Sequence, residues 1–269
     1  MLDELEITAE RCEREALGDF HAATPEAVKI ALGMKTHTVG GAFVSVATHD
    51  PSILLNRTIG LGVEAPAARE DIAAIRKIYG DAGVGRFFLH LNPGAEPEDL
   101  SGWLAAAGMR PHRRWMKFRR GLTPPPEKNT YLRIEKIGPD FGHDFGAIAA
   151  QGFGLTDLAV PALAALAARP GWHVYMSFAG DDPAGVGAMF VSGGCAWFDW
   201  AATLPAYRRQ GSQSAILRRR INEAIRLGCK HMFTETGEAA EGDPQHSYHN
   251  IEKAGFQAWH PRDNFIPAD

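Results

Sequence analysis

The sequence predicts an α/β (α+β) chain of two tandem domains, each a mixed, mostly antiparallel sheet flanked by helices. Three observations lead there. The order strand, helix, strand, helix, glycine plus apolar residue, strand occurs twice, with Gly108-Met109 in the first half and Gly255-Phe256 in the second. Three consecutive prolines, Pro124 to Pro126, cannot continue a helix or a central strand, and they mark a spacer at 121–129 between domains at 1–120 and 130–269. A basic, glycine-centred turn, Tyr207-Arg208-Arg209-Gln210-Gly211-Ser212-Gln213-Ser214-Ala215, joins an apolar strand to a long helix.

In the first half, 1–20 and 25–32 read as helices, and 39–48 and 54–61 as strands. The segment 69–82 places Ile72, Ile75 and Ile78 at helical intervals, 86–91 is rich in β-formers, 97–107 is helical, and 113–118 is a closing strand. In the second half, 131–137 alternates as a strand, and 141–152 and 157–168 are helical. Strands at 173–179, 185–192 and 195–203 form an antiparallel run whose turns carry Asp181-Asp182-Pro183 and Gly193-Gly194. The helix 212–227 turns Leu217, Ile221, Ala224 and Ile225 inward, and Gly228 ends it. Arg218, Arg219 and Arg220 on this helix read as a solvated face, or as a basic cluster within reach of a phosphate.

Of the 269 residues, 45% are hydrophobic and 22% charged, enough for a substantial core, and a net charge of −4 argues against general nucleic-acid binding. The start Met-Leu-Asp-Glu-Leu-Glu has no basic residue or following apolar run, and no stretch approaches the roughly 18–20 apolar residues of a membrane span. Cys12, Cys195 and Cys229 are scattered without metal-type spacing, which fits a reducing compartment. A cytoplasmic protein with no nucleic-acid or membrane partner is the expectation, and a homodimer is compatible with it. His246 and His249 have a helical spacing that suits a metal but no accompanying carboxylate or thiolate motif, so no metal is expected.

The turn at 207–215 has a direct chemical meaning. The first N–H groups of a helix lack intrahelical partners, and the peptide dipoles leave partial positive charge there. Gly211 allows close approach to the backbone, Arg208 and Arg209 bring fork-shaped cationic donors, and Gln210, Ser212, Gln213 and Ser214 bring neutral ones. The pattern reads as a pyrophosphate cradle. The corresponding segment of the first half, Glu64-Ala65-Pro66-Ala67-Ala68-Arg69, is acidic and broken by proline. It would repel such a ligand, so the first copy is expected to pack against the second and wall its pocket.

The turn and the order of elements around it resemble the GNAT superfamily of acyl-CoA-dependent N-acyltransferases. The family signature, Arg/Gln-x-x-Gly-x-Gly/Ala, meets Arg208, Gly211 and Gln213 here, the last a departure from the small residue. The resemblance covers about 130–269, with a degenerate echo before it. It implies acetyl-CoA or another short acyl-CoA as co-substrate, and a primary amine on a small molecule as acceptor. It also implies that the backbone of Ala201, Ala202 and Thr203 bonds the pantetheine arm.

The family's usual acid, a tyrosine five residues before the phenylalanine of the last Gly-Phe pair, falls on Ile251. Tyr248, nearly one helical turn earlier, is the candidate acid, with packing as its alternative. Ser247 and Asn250 could bond the pantetheine or cap the helix. Glu235, with Glu238 nearby, is the candidate base, or else a solvated strand-end carboxylate. Asp199, sharing a strand face with Trp197, is the candidate for an amine's cation. Phe153 to Val160 and a closing loop at 260–264 would complete the amine pocket. Two other classes stay open: an acyl-CoA-binding regulator or pseudoenzyme without turnover, and an inert interaction scaffold.

Overall fold

The computed structural model describes residues 2–127, 129–240, 242 and 245–268, so Lys128 of the expected spacer lies outside it. The chain forms α1 (Glu4–Ala23), α2 (Glu26–Leu32), β1 (Met34–Val39), β2 (Ala42–Ala47), β3 (Arg57–Ile59), α3 (Arg69–Asp81), β4 (Phe88–Leu91), α4 (Leu100–Ala106) and β5 (Met109–Arg120). It continues with β6 (Arg133–Lys136), α5 (Gly142–Phe153), α6 (Val160–Ala164), β7 (Trp172–Ala179), β8 (Asp182–Ser192), β9 (Cys195–Thr203), α7 (Ser212–Arg226), β10 (His231–Gly237), α8 (His246–Lys253) and β11 (Gln257–Pro267).

The strands hydrogen-bond in the order β1-β2-β3-β4-β11-β5-β10-β9-β8-β7-β6, an 11-stranded mixed sheet where the sequence leads one to expect a separate sheet in each half. The reason lies in two strands. Residues cluster into one unit of Met1–His21, Glu26–Trp115 and His260–Asp269, and a second of Ala22–Pro25 and Met116–Trp259. Both changes of unit, at 115–116 and 259–260, fall inside unbroken strands, β5 and β11.

In the first unit, Gly40 and Gly41, both at positive φ, fold β1 back on β2 with Val39 opposite Ala42. This hairpin replaces the single strand expected at 39–48. β3 is also shorter than expected, because 53–55 form a turn. β3 pairs parallel with β4, and β4 pairs antiparallel with β11, where Asn264 sits opposite His90. The segment 260–264 is therefore strand in the first unit, not a closing loop. α3 buries Ile72, Ile75 and Tyr79 against Val44, Val46 and Leu89, each apolar side chain contributing about 1.5–3 kcal/mol. The Tyr79 ring stacks on Phe87 at 3.8 Å and its hydroxyl donates to the Ser45 carbonyl.

The second unit is built on the antiparallel run β6-β7-β8-β9, with β10 pairing parallel to β9. α7 and α8 cover one face, where Leu217, Ile221 and Ile251 pack with Met189, Phe198, Met232 and Phe256. A single 3-10 turn, Pro205–Tyr207, leads from β9 into the basic segment, and four residues, 208–211, separate it from α7. Among the described residues, no helix is long and apolar enough to cross a membrane.

Candidate functional site

The basic turn has an irregular backbone. Arg208 is extended, Arg209 has φ +65° although it carries a side chain, and Gly211 has φ +89°. Left-handed backbone is costly for any residue with a Cβ, which is why glycine serves at position 211. The first helical bond of α7 runs from the Ala215 N–H to the Gly211 carbonyl at 3.0 Å. The N–H groups before Ala215 thus stand at the positive end of a 15-residue helix. Arg208 and Arg209 are exposed beside them. The Arg208 Nε donates to the Thr203 carbonyl at 3.4 Å, tying the turn to the end of β9. Thr130 donates to the Gln210 carbonyl at 3.0 Å, and the Tyr131 hydroxyl donates to the Gln210 side chain.

The neutral side chains of the turn divide their work. Ser212 is buried and faces the sheet: its hydroxyl shares a 2.7 Å hydrogen bond with Ser177 of β7 and receives one of 3.5 Å from Thr203. Gly185 of β8 makes room for it, since a Cβ there would stand 2.3 Å from the Ser212 Oγ. Gln213, the departure from the small residue expected, bridges to α8. It donates to Ser247 Oγ at 3.0 Å and accepts from Asn250 Nδ2 at 2.7 Å, and Ser214 donates to Asn250 at 3.5 Å. A long polar side chain is used here to couple the start of α7 to the helix that carries Tyr248.

The second element of the site is a parting of strands. β9 and β10 pair from Cys195 opposite His231 to Trp197 opposite Phe233, and the register stops there. Just beyond, Thr234 donates its side-chain hydroxyl to the Phe198 carbonyl at 3.0 Å. β9 continues to Thr203 on its pairing with β8, where Val186 faces Ala202 and Gly185 faces Thr203. Ala201, Ala202 and Thr203 thus lie past the paired stretch of β9 and β10, half-buried, leading into the turn. A half-buried strand edge of this kind accepts an extended chain as an added strand.

The register of β8 and β9 shifts at the same place: Val186 pairs with Ala202 and Ala188 with Asp199, so Trp200 and Ala201 together oppose Gly187. This is a β-bulge, and Trp200 takes φ +49° in it. Trp200 is buried, with its ring edge-on to Phe153 at 5.3 Å.

Asp199 is engaged within the protein, its carboxylate accepting the Trp200 N–H at 2.8 Å and the Trp197 indole at 3.3 Å. Glu235 pairs with the buried Lys117 of β5 at 3.6 Å, and the Lys117 ammonium lies 4.5 Å above the Trp197 ring. Three candidates, Trp197 and Asp199 of β9 and Glu235 of β10, thus meet in one polar cluster around Lys117 of β5, a lysine that no local sequence signal marks. Tyr248 sits apart from it, edge-on to Phe118 at 4.9 Å on the α7 and α8 side. Its phenol is pushed up by desolvation and by the charges of Glu252 and Glu238. Ile251 is buried in the core of the second unit.

The first unit offers a contrast. At the start of α3 the Ala67 N–H donates to the Glu96 carbonyl at 2.8 Å and the Ala68 N–H to Asp71 at 2.8 Å. Two backbone donors at this helix start are thus used within the protein, beside the acidic Glu70 and Asp71. Among the described residues, no group of three or more His, Cys, Asp or Glu side chains is gathered as a metal site, and His249 lies 3.6 Å from Glu252.

No protein-family model matches the chain, and no curated protein does. Solved structures do. A GCN5-related N-acetyltransferase from Kribbella flavida superposes with a TM-score of 0.64 at 14% identity, over 93% of this chain and 95% of that one. Another from Sphaerobacter thermophilus gives 0.57 at 13%, over 74% and 65%. A tandem GNAT protein from the clavulanic acid biosynthesis pathway gives 0.54 at 14%, over 75% and 70%. At such identities the likeness speaks for the architecture, and by it the chain has the GNAT acetyltransferase fold.

Proposed function

We propose that this protein is an acyl-CoA-dependent N-acyltransferase that moves an acetyl or other short acyl group to a primary amine. One observation carries the reading: the strand edge at Ala201 to Thr203, past the β9 and β10 pairing, runs directly into a helix-start turn bearing Arg208, Arg209 and Gly211. A ligand with a pyrophosphate joined to an extended amide arm fits both in sequence, and CoA is such a ligand. The cofactor-binding set is Ala201, Ala202 and Thr203 by backbone, Arg208 to Ser214 at the turn, and Asn250 through its bond to Gln213.

The reaction is direct attack in a ternary complex. The amine nitrogen adds to the thioester carbonyl, the C–N bond forms, and the C–S bond breaks. One proton leaves the nitrogen for a base, and one reaches the departing thiolate. Holding the two reactants together supplies much of the rate. Tyr248 is the proposed acid toward the thiolate. Glu235, paired with Lys117, is the proposed acceptor of the ammonium proton, and Asp199 with Trp197 would orient the amine. The two domains assigned to 1–120 and 130–269 remain our reading of the chain's origin, with acyl-CoA taken up by the second alone.

A second reading, an acyl-CoA-binding regulator without turnover, is favoured by Ile251 at the usual acid's place and by the ion pair that engages Glu235. The two separate in one assay. Purified protein given acetyl-CoA and a panel of small amines releases free CoA thiol if it is a transferase. Tight acetyl-CoA binding with no thiol release across the panel selects the regulator.

A further inference from the structure

α7 carries one residue that its amphipathic pattern leaves unexplained. Arg220 is buried, 2% exposed, on the face of the helix turned to the sheet. Its Nη1 donates to the Ala188 carbonyl at 2.6 Å and to the Asp199 carbonyl at 3.2 Å, and its guanidinium lies 5.1 Å from the Phe198 ring centre. Ala188 and Asp199 are opposite each other at the last regular pair before the bulge. Gly187, the residue facing the bulge, provides the slot: a Cβ there would stand 3.0 Å from the Arg220 Cζ and 2.7 Å from Ile216.

A bulge leaves carbonyls without ladder partners, and a buried carbonyl without a donor costs free energy. Here a cation from the helix supplies the donors on both strands at once. Burial lowers the guanidinium to about 10, with Asp199 and Tyr175 opposing the shift, so it stays charged at neutral pH. The consequence concerns the strand edge. Trp200 holds its positive φ, and β9 turns from β10 toward the basic turn, at the point where Arg220 grips the Asp199 carbonyl.

Resting on the functional reading above, we propose that Arg220 is a positioning residue: it holds the β9 bulge in the form that presents Ala201 to Thr203 to the pantetheine arm of the acyl-CoA. It touches neither the arm nor the phosphates. Its loss therefore weakens the arm's contribution and spares that of the nucleotide, which the turn binds.

The test uses two ligands and the intact chain. Arg220→Met should bind acetyl-CoA roughly tenfold to a hundredfold more weakly, the range one or two charge-assisted hydrogen bonds command, while binding 3′-phospho-ADP, the CoA nucleotide without its arm, within about twofold of the wild type. Arg220→Lys, able to reach one carbonyl, should fall between. Should Arg220→Met not fold, Gly187→Ala displaces the guanidinium instead and should show the same selective loss. Equal weakening of both ligands, or unchanged acetyl-CoA affinity in a folded Arg220→Met, overturns the proposal. A wild-type chain that binds neither ligand overturns the functional reading, and this role with it.

Discussion

Gly185→Ala tests how the start of α7 is seated. The added methyl would stand 2.3 Å from Ser212 Oγ, 3.0 Å from the Ala202 carbonyl oxygen and 3.2 Å from Ser177 Oγ. To reach the roughly 3.5 Å at which dispersion contacts are optimal, the Ser212 hydroxyl must retreat by about 1 Å. That movement breaks its 2.7 Å bond to Ser177, worth about 1 kcal/mol, and overpacking of this kind costs about 1–3 kcal/mol. Urea unfolding followed by tryptophan fluorescence should therefore show Gly185→Ala less stable by about 2–3 kcal/mol. Ser212→Ala removes the nearest clashing atom, so the double variant should be more stable than the sum of the single effects by at least about 0.5 kcal/mol. Acetyl-CoA affinity should fall in Gly185→Ala and partly return in the double variant, because the helix start moves with Ser212. Strict additivity in both readouts would refute this account of the seat.

Gly211→Trp should abolish acetyl-CoA binding, measured by calorimetry, because the indole fills the turn and φ +89° resists a side chain; unchanged affinity would remove the turn from the site. Tyr248→Phe should lower kcat by up to about a hundredfold, the low end of general-acid effects, with acetyl-CoA affinity intact, and full activity would return Tyr248 to packing. Stability should also fall in mild acid. His21 is lowered to about 3 by burial, and further by Lys29 and Arg57, so between pH 6.5 and that value the unfolded chain holds a proton that the folded chain does not. Stability is complete above pH 6.5 and declines below it, by about 2 kcal/mol at pH 5 from this residue. His90, lowered in the same direction by burial, adds to the slope. Flat stability from pH 7 to pH 5 in chemical denaturation would contradict the neutral, buried state of both rings.

The legible parts of this chain were those whose signal is local. The antiparallel run through β7, β8 and β9 announced itself by alternation and short turns, and the basic turn by its composition. A strand after Gly255-Phe256 was legible, but its length was not: 260–264 read as a closing loop because two residues buried there are polar. Arg262 is buried by a two-pronged bond to Glu13 and a contact to Glu10, both from α1, and Asn264 is satisfied by His90 and the Arg113 carbonyl. A stretch that buries polar side chains reads as a loop until its distant partners are known. The same holds for Arg220, whose place in the arginine cluster suggested solvent, whereas the missing side chain at Gly187 opens a slot for it under the sheet. Glu235 looked like a free strand-end carboxylate because Lys117 comes from another part of the sequence. At Gln213 the departure from the family's small residue was visible, but the bridge to Ser247 and Asn250 that gives it a purpose was not.

The most direct test is a calorimetric titration of the purified protein with acetyl-CoA, reading stoichiometry together with affinity. One site per chain, lost in Gly211→Trp, is the result this account predicts. Absence of binding, or binding that survives in Gly211→Trp, would contradict it.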